Sequence, residues 1–184
     1  MSQQKKKKAG KKTGPDYKWI VLIFLSTMFI SAVMSFVSSN LLEGSTLVVS
    51  FFILVCIIFI GIVFDIIGVA VTAADPRPFH SMAAHKEKGA KEALMLLRNA
   101  DRVSSVCNDV VGDICGIVSG ATSAVIVTQL QKGLNLQSVL VSVGVTAVVS
   151  GMTIGGKAMG KPFAMNQSKR VVYLVGRFLH LFHR

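Results

Sequence analysis

A chain of 184 residues that is 52% hydrophobic and still carries a net charge of +11 is a poor match for a soluble domain. Its mean hydropathy of +0.59 and pI near 9.9 fit a polytopic membrane protein with its charges confined to ends and loops. Nucleic-acid binding, the other common meaning of so basic a chain, is excluded because the lysines and arginines flank apolar blocks instead of interleaving with a soluble fold.

The first 17 residues, opening MSQQKKKKAGKKTGPD, hold six lysines, two glycines and a proline and almost nothing apolar. Such a composition predicts a disordered cytoplasmic tail able to hold to anionic lipid. It is not a secretory signal peptide: the apolar run that follows is longer than an h-region, and no small-residue cleavage site closes it.

Residues 18–160 read as a four-span transmembrane domain. The first span covers about 18–41, opening on Lys18-Trp19 as an interfacial anchor, and the turn LEGST joins it to a second at about 46–73. A third is predicted at about 103–130 and, after the turn QKGLN, a fourth at about 135–156. Each reaches the roughly 20 residues that a bilayer's hydrocarbon core requires. Between the second and third lies the substantial polar loop, 75–102, whose Pro76 and Pro78 stop the preceding helix. From Phe79 to Leu97 its apolar residues recur at helical spacing, which predicts one amphipathic cytosolic helix lying against the membrane domain. The closing segment, 161–184, alternates Val171, Val172, Leu174, Val175, Phe178 and Leu179 with Lys169, Arg170, Arg177 and His180. It is too short and too basic to span, and predicts a helix lying in the interface. The fold class is therefore an all-α membrane protein.

Of the 20 Lys and Arg, Lys132 alone falls on the side holding the turns near 43 and 132. The positive-inside rule then places both termini in the cytoplasm of a plasma- or inner-membrane protein.

Charged and polar residues inside the spans are the candidate functional set: Asp65 in the second, Asn108, Asp109 and Asp113 in the third, and Lys157 at the end of the fourth. An ionised group at a helix centre costs about 2.5–3.5 kcal/mol on insertion scales, so such residues face the protein interior and find partners. Asp109 and Asp113 are four apart and so share a helix face. Counted from the cytoplasmic helix ends, the three carboxylates lie at depths of roughly 9–15 Å at 1.5 Å per residue, which lets them meet at one level within reach of Lys157. Three readings stay open: a buried ion-pair network that locks helices, a hydrated site for a hard cation such as Mg²⁺ held by oxygen ligands, or protonated aspartates coupled to proton movement. Three carboxylates against one lysine leave a negative excess, which favours a cation at Asp65, Asp109 and Asp113, with Asn108 as a neutral ligand. Lys157 is the tethered counter-charge. Gly112, Gly116 and Gly120 form a GxxxGxxxG stripe suited to close helix packing, and Gly144, Gly151, Gly155, Gly156 and Gly160 line the fourth span.

Other chemistry has little support. Cys56, Cys107 and Cys115 lie in apolar segments, and no Cys/His set has zinc spacing. No Ser/His, Asp-pair or HExxH motif lies on a span, so an enzyme is not expected. His80, His85, His180 and His183 sit in the loop or the C-terminal helix, the last two reading as a solvated face more readily than a metal pair. No resident cofactor is called for.

Three stretches carry a family resemblance. GVAVTAA (68–74) occupies the place of a SETALTS stretch, AKEALMLLRNADR (90–102) is close to a cytosolic helix of the type AKRALRLLENPDR, and GGKAMGKPFAMNQSKRVVYLVGRFL (155–179) is similar to a GE-x-x-PK segment with its belt helix. In this order they resemble the transmembrane module of the cyclin M (CNNM)/CorB/CorC magnesium-transporter family over about 58–184. The resemblance implies Mg²⁺ as the bound or transported ion and a homodimer. It also implies an intramembrane site built from hydroxyl residues, a Gly-Asn and the motif glutamate. Here Asp65 and Ile67 stand at the serine positions, Lys157 at the glutamate and Gly160 at the proline, while Gly112-Asp113 takes the Gly-Asn place after a two-residue slip. The first span is additional to that module, and the chain reads as a minimal relative without the CBS-pair domains. The alternative is a non-transporting membrane scaffold or accessory subunit with a structural charge network.

Overall fold

The computed structural model describes residues 17–134 and 139–182. The tail expected at 1–16, the predicted start of the fourth span at 135–138, and His183 and Arg184 lie outside the described residues. Within them the chain is all-helical: α1 (Tyr17–Leu42), α2 (Leu47–Ala73), α3 (Arg77–Ala84), α4 (Ala90–Arg98), α5 (Ala100–Ser105), a π-helical segment (Val106–Gly112), α6 (Asp113–Leu134), α7 (Val139–Asn166) and α8 (Ser168–Phe182). Four helices are long and apolar enough to cross a membrane: α1, α2, the continuous helix 100–133, and α7. Residues rich in Val, Ile and Phe form helices here because a chain in hydrocarbon must satisfy its backbone hydrogen bonds within each segment.

α2 is the central element, packing against α5, the π segment, α6, α7 and α8. Its N-terminal half meets α6 and α7 through Leu54, Ile58, Ile126 and Val149. Ile57 joins Val110, Ile114, Cys115 and Val118 in a second core, onto which Ile23, Ile30 and Met34 of α1 pack. A third core, Ala70, Val71, Phe79, Ala93, Ala164 and Val172, gathers the end of α2 with α3, α4, α7 and α8. α1 is peripheral. None of its most apolar stretch is buried, against 56% of that of the helix 100–133, and it leans on α6 more than on α2, its neighbour in sequence.

The α1–α2 turn is locked to α6 by polar side chains. Gly44 adopts φ +73 there, a conformation that other residues resist. Ser45 Oγ bonds Leu42 O at 2.9 Å and Ser50 Oγ at 2.8 Å. Ser50 Oγ donates to Gln129 Oε1 at 3.1 Å, and Gln129 Nε2 returns to Ser45 O at 3.3 Å. Gln129→Leu removes both bonds that tie the turn to α6, leaving the fully buried Ser50 hydroxyl with Ser45 Oγ and taking the Gln129 donor from the Ser45 carbonyl. The expected loss is about 1–3 kcal/mol, read by thermal unfolding in detergent.

Two expectations from the sequence are corrected. The single amphipathic helix predicted over 79–97 is two helices. Lys86 (φ +56) and Gly89 (φ +87) are both left-handed, so the polar run His85–Gly89 turns the chain back before α4 begins. The fourth span does not stop near 156: α7 continues through Lys157, Lys161 and Pro162 to Asn166. At 28 residues it is about 42 Å long, more than the roughly 30 Å of a hydrocarbon core. Pro162 removes one N–H, yet the helix holds because Ala164 beyond it is anchored in the third core.

α4 and α8 touch backbone to backbone. A Cβ on Gly176 would sit 2.5 Å from Gly89 O and 2.9 Å from Ala93 N. His180 Nδ1 meets Glu92 Oε1 at 2.7 Å alongside this contact, so the half-exposed His180 also serves an interhelix bond.

Candidate intramembrane charge site

The site is built on one face of α2. Gly61, Asp65 and Gly68 recur four and three residues apart, which stacks them along the helix. Each meets a partner on the following span in antiparallel order. A Cβ on Gly61 would lie 2.9 Å from Cys115 Cβ, and one on Gly68 would run into the carboxamide of Asn108. Between them, Gly112 lies against Asp65: its Cβ would be 3.7 Å from Asp65 Oδ1 and 3.4 Å from Lys157 Nζ. α7 is brought in by its own glycines. Gly156 and Gly160 accept the side chains of Ile62 and Ile66, so Lys157, on the same turn, reaches the aspartate.

Asp65 is 7% exposed. Lys157 Nζ lies 3.8 Å from its Oδ1, an ion pair beyond hydrogen-bond distance. On the neighbouring turn, Asn108 Nδ2 donates to Ser104 Oγ at 3.2 Å, while Asn108 Oδ1 is buried with no hydrogen-bond partner. An orphaned buried acceptor in an apolar setting costs about 1–3 kcal/mol and calls for an explanation. It belongs to the π-helical segment, an i→i+5 distortion of the kind that gathers at functional sites.

The other predicted ligands lie elsewhere. Asp109 is exposed and accepts a bond from Ser105 Oγ at 2.9 Å, and Asp113 is exposed at the start of α6. The expected meeting of Asp65, Asp109 and Asp113 does not occur: among the described residues no group of three or more His, Cys, Asp or Glu is placed to hold a metal ion. The physical reason is the π segment. An i→i+5 turn advances the chain by a smaller angle per residue, so spacing that stacks side chains in an α-helix does not carry over into it.

The glycine stripe also divides. Gly112 packs as expected of a close-contact glycine, but a Cβ at Gly116 or Gly120 would meet nothing within 4 Å. Residues four apart in an α-helix drift by about 40° per step, which carries the stripe out of the contact with α2. Gly144, Gly151 and Gly155 likewise have open space beside them, unlike Gly156 and Gly160. Gly61, Gly68 and Ser104 were not singled out from the sequence. The spacing Gly-x₃-Asp-x₂-Gly on α2 was the available signal.

Comparisons with protein-family models, with curated proteins and with solved structures find no match for this chain.

Proposed function

We propose that this membrane protein binds and moves a divalent cation, with Mg²⁺ as the ion of choice, at Asp65 and Asn108 near the cytoplasmic half of the bundle. One observation carries this reading: the buried, unpartnered Asn108 Oδ1 lies one helical turn along α2 from a buried carboxylate, within a π-helical distortion. A carboxylate, a neutral amide oxygen and water form a chemically suitable set for Mg²⁺, which keeps several waters and binds through one or two carboxylates. Lys157 is the internal counter-charge that withdraws along its flexible stem when the cation enters. The resemblance to CNNM/CorB/CorC modules points the same way and adds a homodimer. The distribution of basic residues places α3, α4 and both termini on the cytoplasmic side. α8, with Leu174 and Phe178 exposed beside Arg170 and Arg177, then lies in the interface, where it and the lysine tail hold to anionic lipid.

The test is thermal unfolding of the purified protein in detergent with and without Mg²⁺. At 100 times the dissociation constant, a ligand of the folded state adds about 2.7 kcal/mol, or about 5–10 °C for a chain of this size. The shift is expected in the wild type, absent in Asp65→Asn and reduced in Asn108→Ala. If millimolar Mg²⁺ moves the wild type no more than Asp65→Asn, the cation reading is wrong. The scaffold reading then takes its place, supported by the Asp65–Lys157 pair as a finished structural contact.

A further inference from the structure

The carboxamide of Asn108 is held from two sides. Asn108 Nδ2 donates to Ser104 Oγ at 3.2 Å, a bond between side chains four residues apart on one helix face. Ser104 belongs to α5, the part of the third span that packs on α2 ahead of the π-helical turn. From α2, Gly68 offers backbone without a side chain: a Cβ there would stand 2.7 Å from Asn108 Cγ and 2.9 Å from its Nδ2. An amide is planar, and its oxygen and nitrogen leave the same carbon in different directions. With Ser104 holding the nitrogen, the oxygen is committed to the α2 side, where it is buried without a hydrogen-bond partner. Asp65 lies three residues from Gly68 on α2, about 4.5 Å of helix rise along the same face. The amide oxygen is thus a fixed acceptor and not a free rotor.

The next pair along the chain repeats the spacing and makes a contrast. Ser105 Oγ donates to Asp109 Oδ2 at 2.9 Å, and this bond is exposed. There the serine gives its proton to a carboxylate whose two oxygens are equivalent. At Ser104 the serine accepts, and so decides which branch of the amide turns toward α2.

A fixed oxygen discriminates between ions. Mg²⁺ demands near-ideal octahedral geometry at roughly 2.0–2.1 Å, whereas Ca²⁺ takes oxygens at roughly 2.3–2.6 Å in a flexible shell. Locking one ligand in place therefore serves the first ion and does little for the second. Groups that orient a metal ligand commonly carry a factor of about 10–100 in affinity. We infer that Ser104 is a positioning residue that sets ion selectivity: by holding the Asn108 amide, it makes the site at Asp65 and Asn108 prefer Mg²⁺ to Ca²⁺. Its role rests on the proposed cation site.

The test compares Ser104→Ala, Ser104→Val and Ser104→Thr with the wild type, as purified full-length proteins in detergent. Unfolding temperature is followed against Mg²⁺ and, separately, Ca²⁺ concentration, which gives an apparent Kd for each ion. Ser104→Ala and Ser104→Val are expected to weaken Mg²⁺ binding about tenfold and Ca²⁺ binding by less than about threefold. Ser104→Thr keeps the hydroxyl and is expected to keep the wild-type ratio of the two constants. Thr and Val differ chiefly in that hydroxyl, so this pair decides the matter even where Ser104→Ala folds poorly. Ser105→Ala is expected to leave both constants unchanged. A merely structural serine would lower the ion-free unfolding temperature and leave the ratio alone. A ratio within about twofold of the wild type in Ser104→Ala and Ser104→Val overturns the selectivity role, as does an equal change in Ser105→Ala. A wild type that Mg²⁺ does not stabilise is a different result: it overturns the cation reading, and the role of Ser104 falls with it.

Discussion

Lys157→Met is expected to destabilise the protein by about 3–5 kcal/mol, the usual cost of removing one partner from a buried ion pair. The cost arises because Asp65, 7% exposed, loses the ammonium group that lies beside it. Asp65→Asn is expected to cost less, since Lys157 has a 24% exposed side chain and a flexible stem along which its charge can retreat. The double variant Lys157→Met/Asp65→Asn is expected to recover most of the loss, because a polar pair replaced on both sides leaves no orphaned charge. Thermal unfolding of the four proteins measures this cycle. Millimolar Mg²⁺ is expected to return part of the stability of Lys157→Met and none to the double variant. A Lys157→Met protein as stable as the wild type would mean that Asp65 does not depend on the lysine for its charge balance.

The second large effect is expected at the α4–α8 contact. Gly176→Ala places a methyl group 2.5 Å from Gly89 O and 2.9 Å from Ala93 N, and neither backbone atom can rotate away. α8 must separate from α4, which also lengthens the 2.7 Å His180–Glu92 bond and opens the core around Ala93 and Val172. Overpacking of a close contact costs about 1–3 kcal/mol, and here a stretched polar bond adds to it. Limited proteolysis of the 85–89 turn offers a direct readout, faster in Gly176→Ala than in the wild type. Equal proteolysis and equal unfolding temperature would show that the two helices part without cost.

Much of the architecture was legible because it rests on lengths and runs. An unbroken apolar stretch long enough for a bilayer announces itself in any register, so four membrane-competent helices were readable, with ends for α1 and α2 within a residue or so of the observed ones. Asp65 and Lys157 were readable as partners because two opposite charges confined to apolar helices have few other places to go. Less was visible where local signals compete. The apolar run ends near 156, yet α7 continues to Asn166, with Ala164 buried against α2, α4 and α8. Apolar spacing over 79–97 argued for one helix, and two left-handed residues divided it.

The candidate site divides in the same way. Sequence alone determined which charges lie on membrane-competent helices, because composition and run length suffice for that. Which of those charges meet was decided only by the tertiary structure. The π-helical turn at 106–112 leaves Asp109 and Asp113 on the exposed surface and the carboxamide of Asn108 over Gly68. That segment seats against Gly61, Asp65 and Gly68 of α2, contacts between residues 40 to 54 positions apart. A periodicity read along one segment assumes a uniform angle per residue, and the π-helical turn departs from that angle.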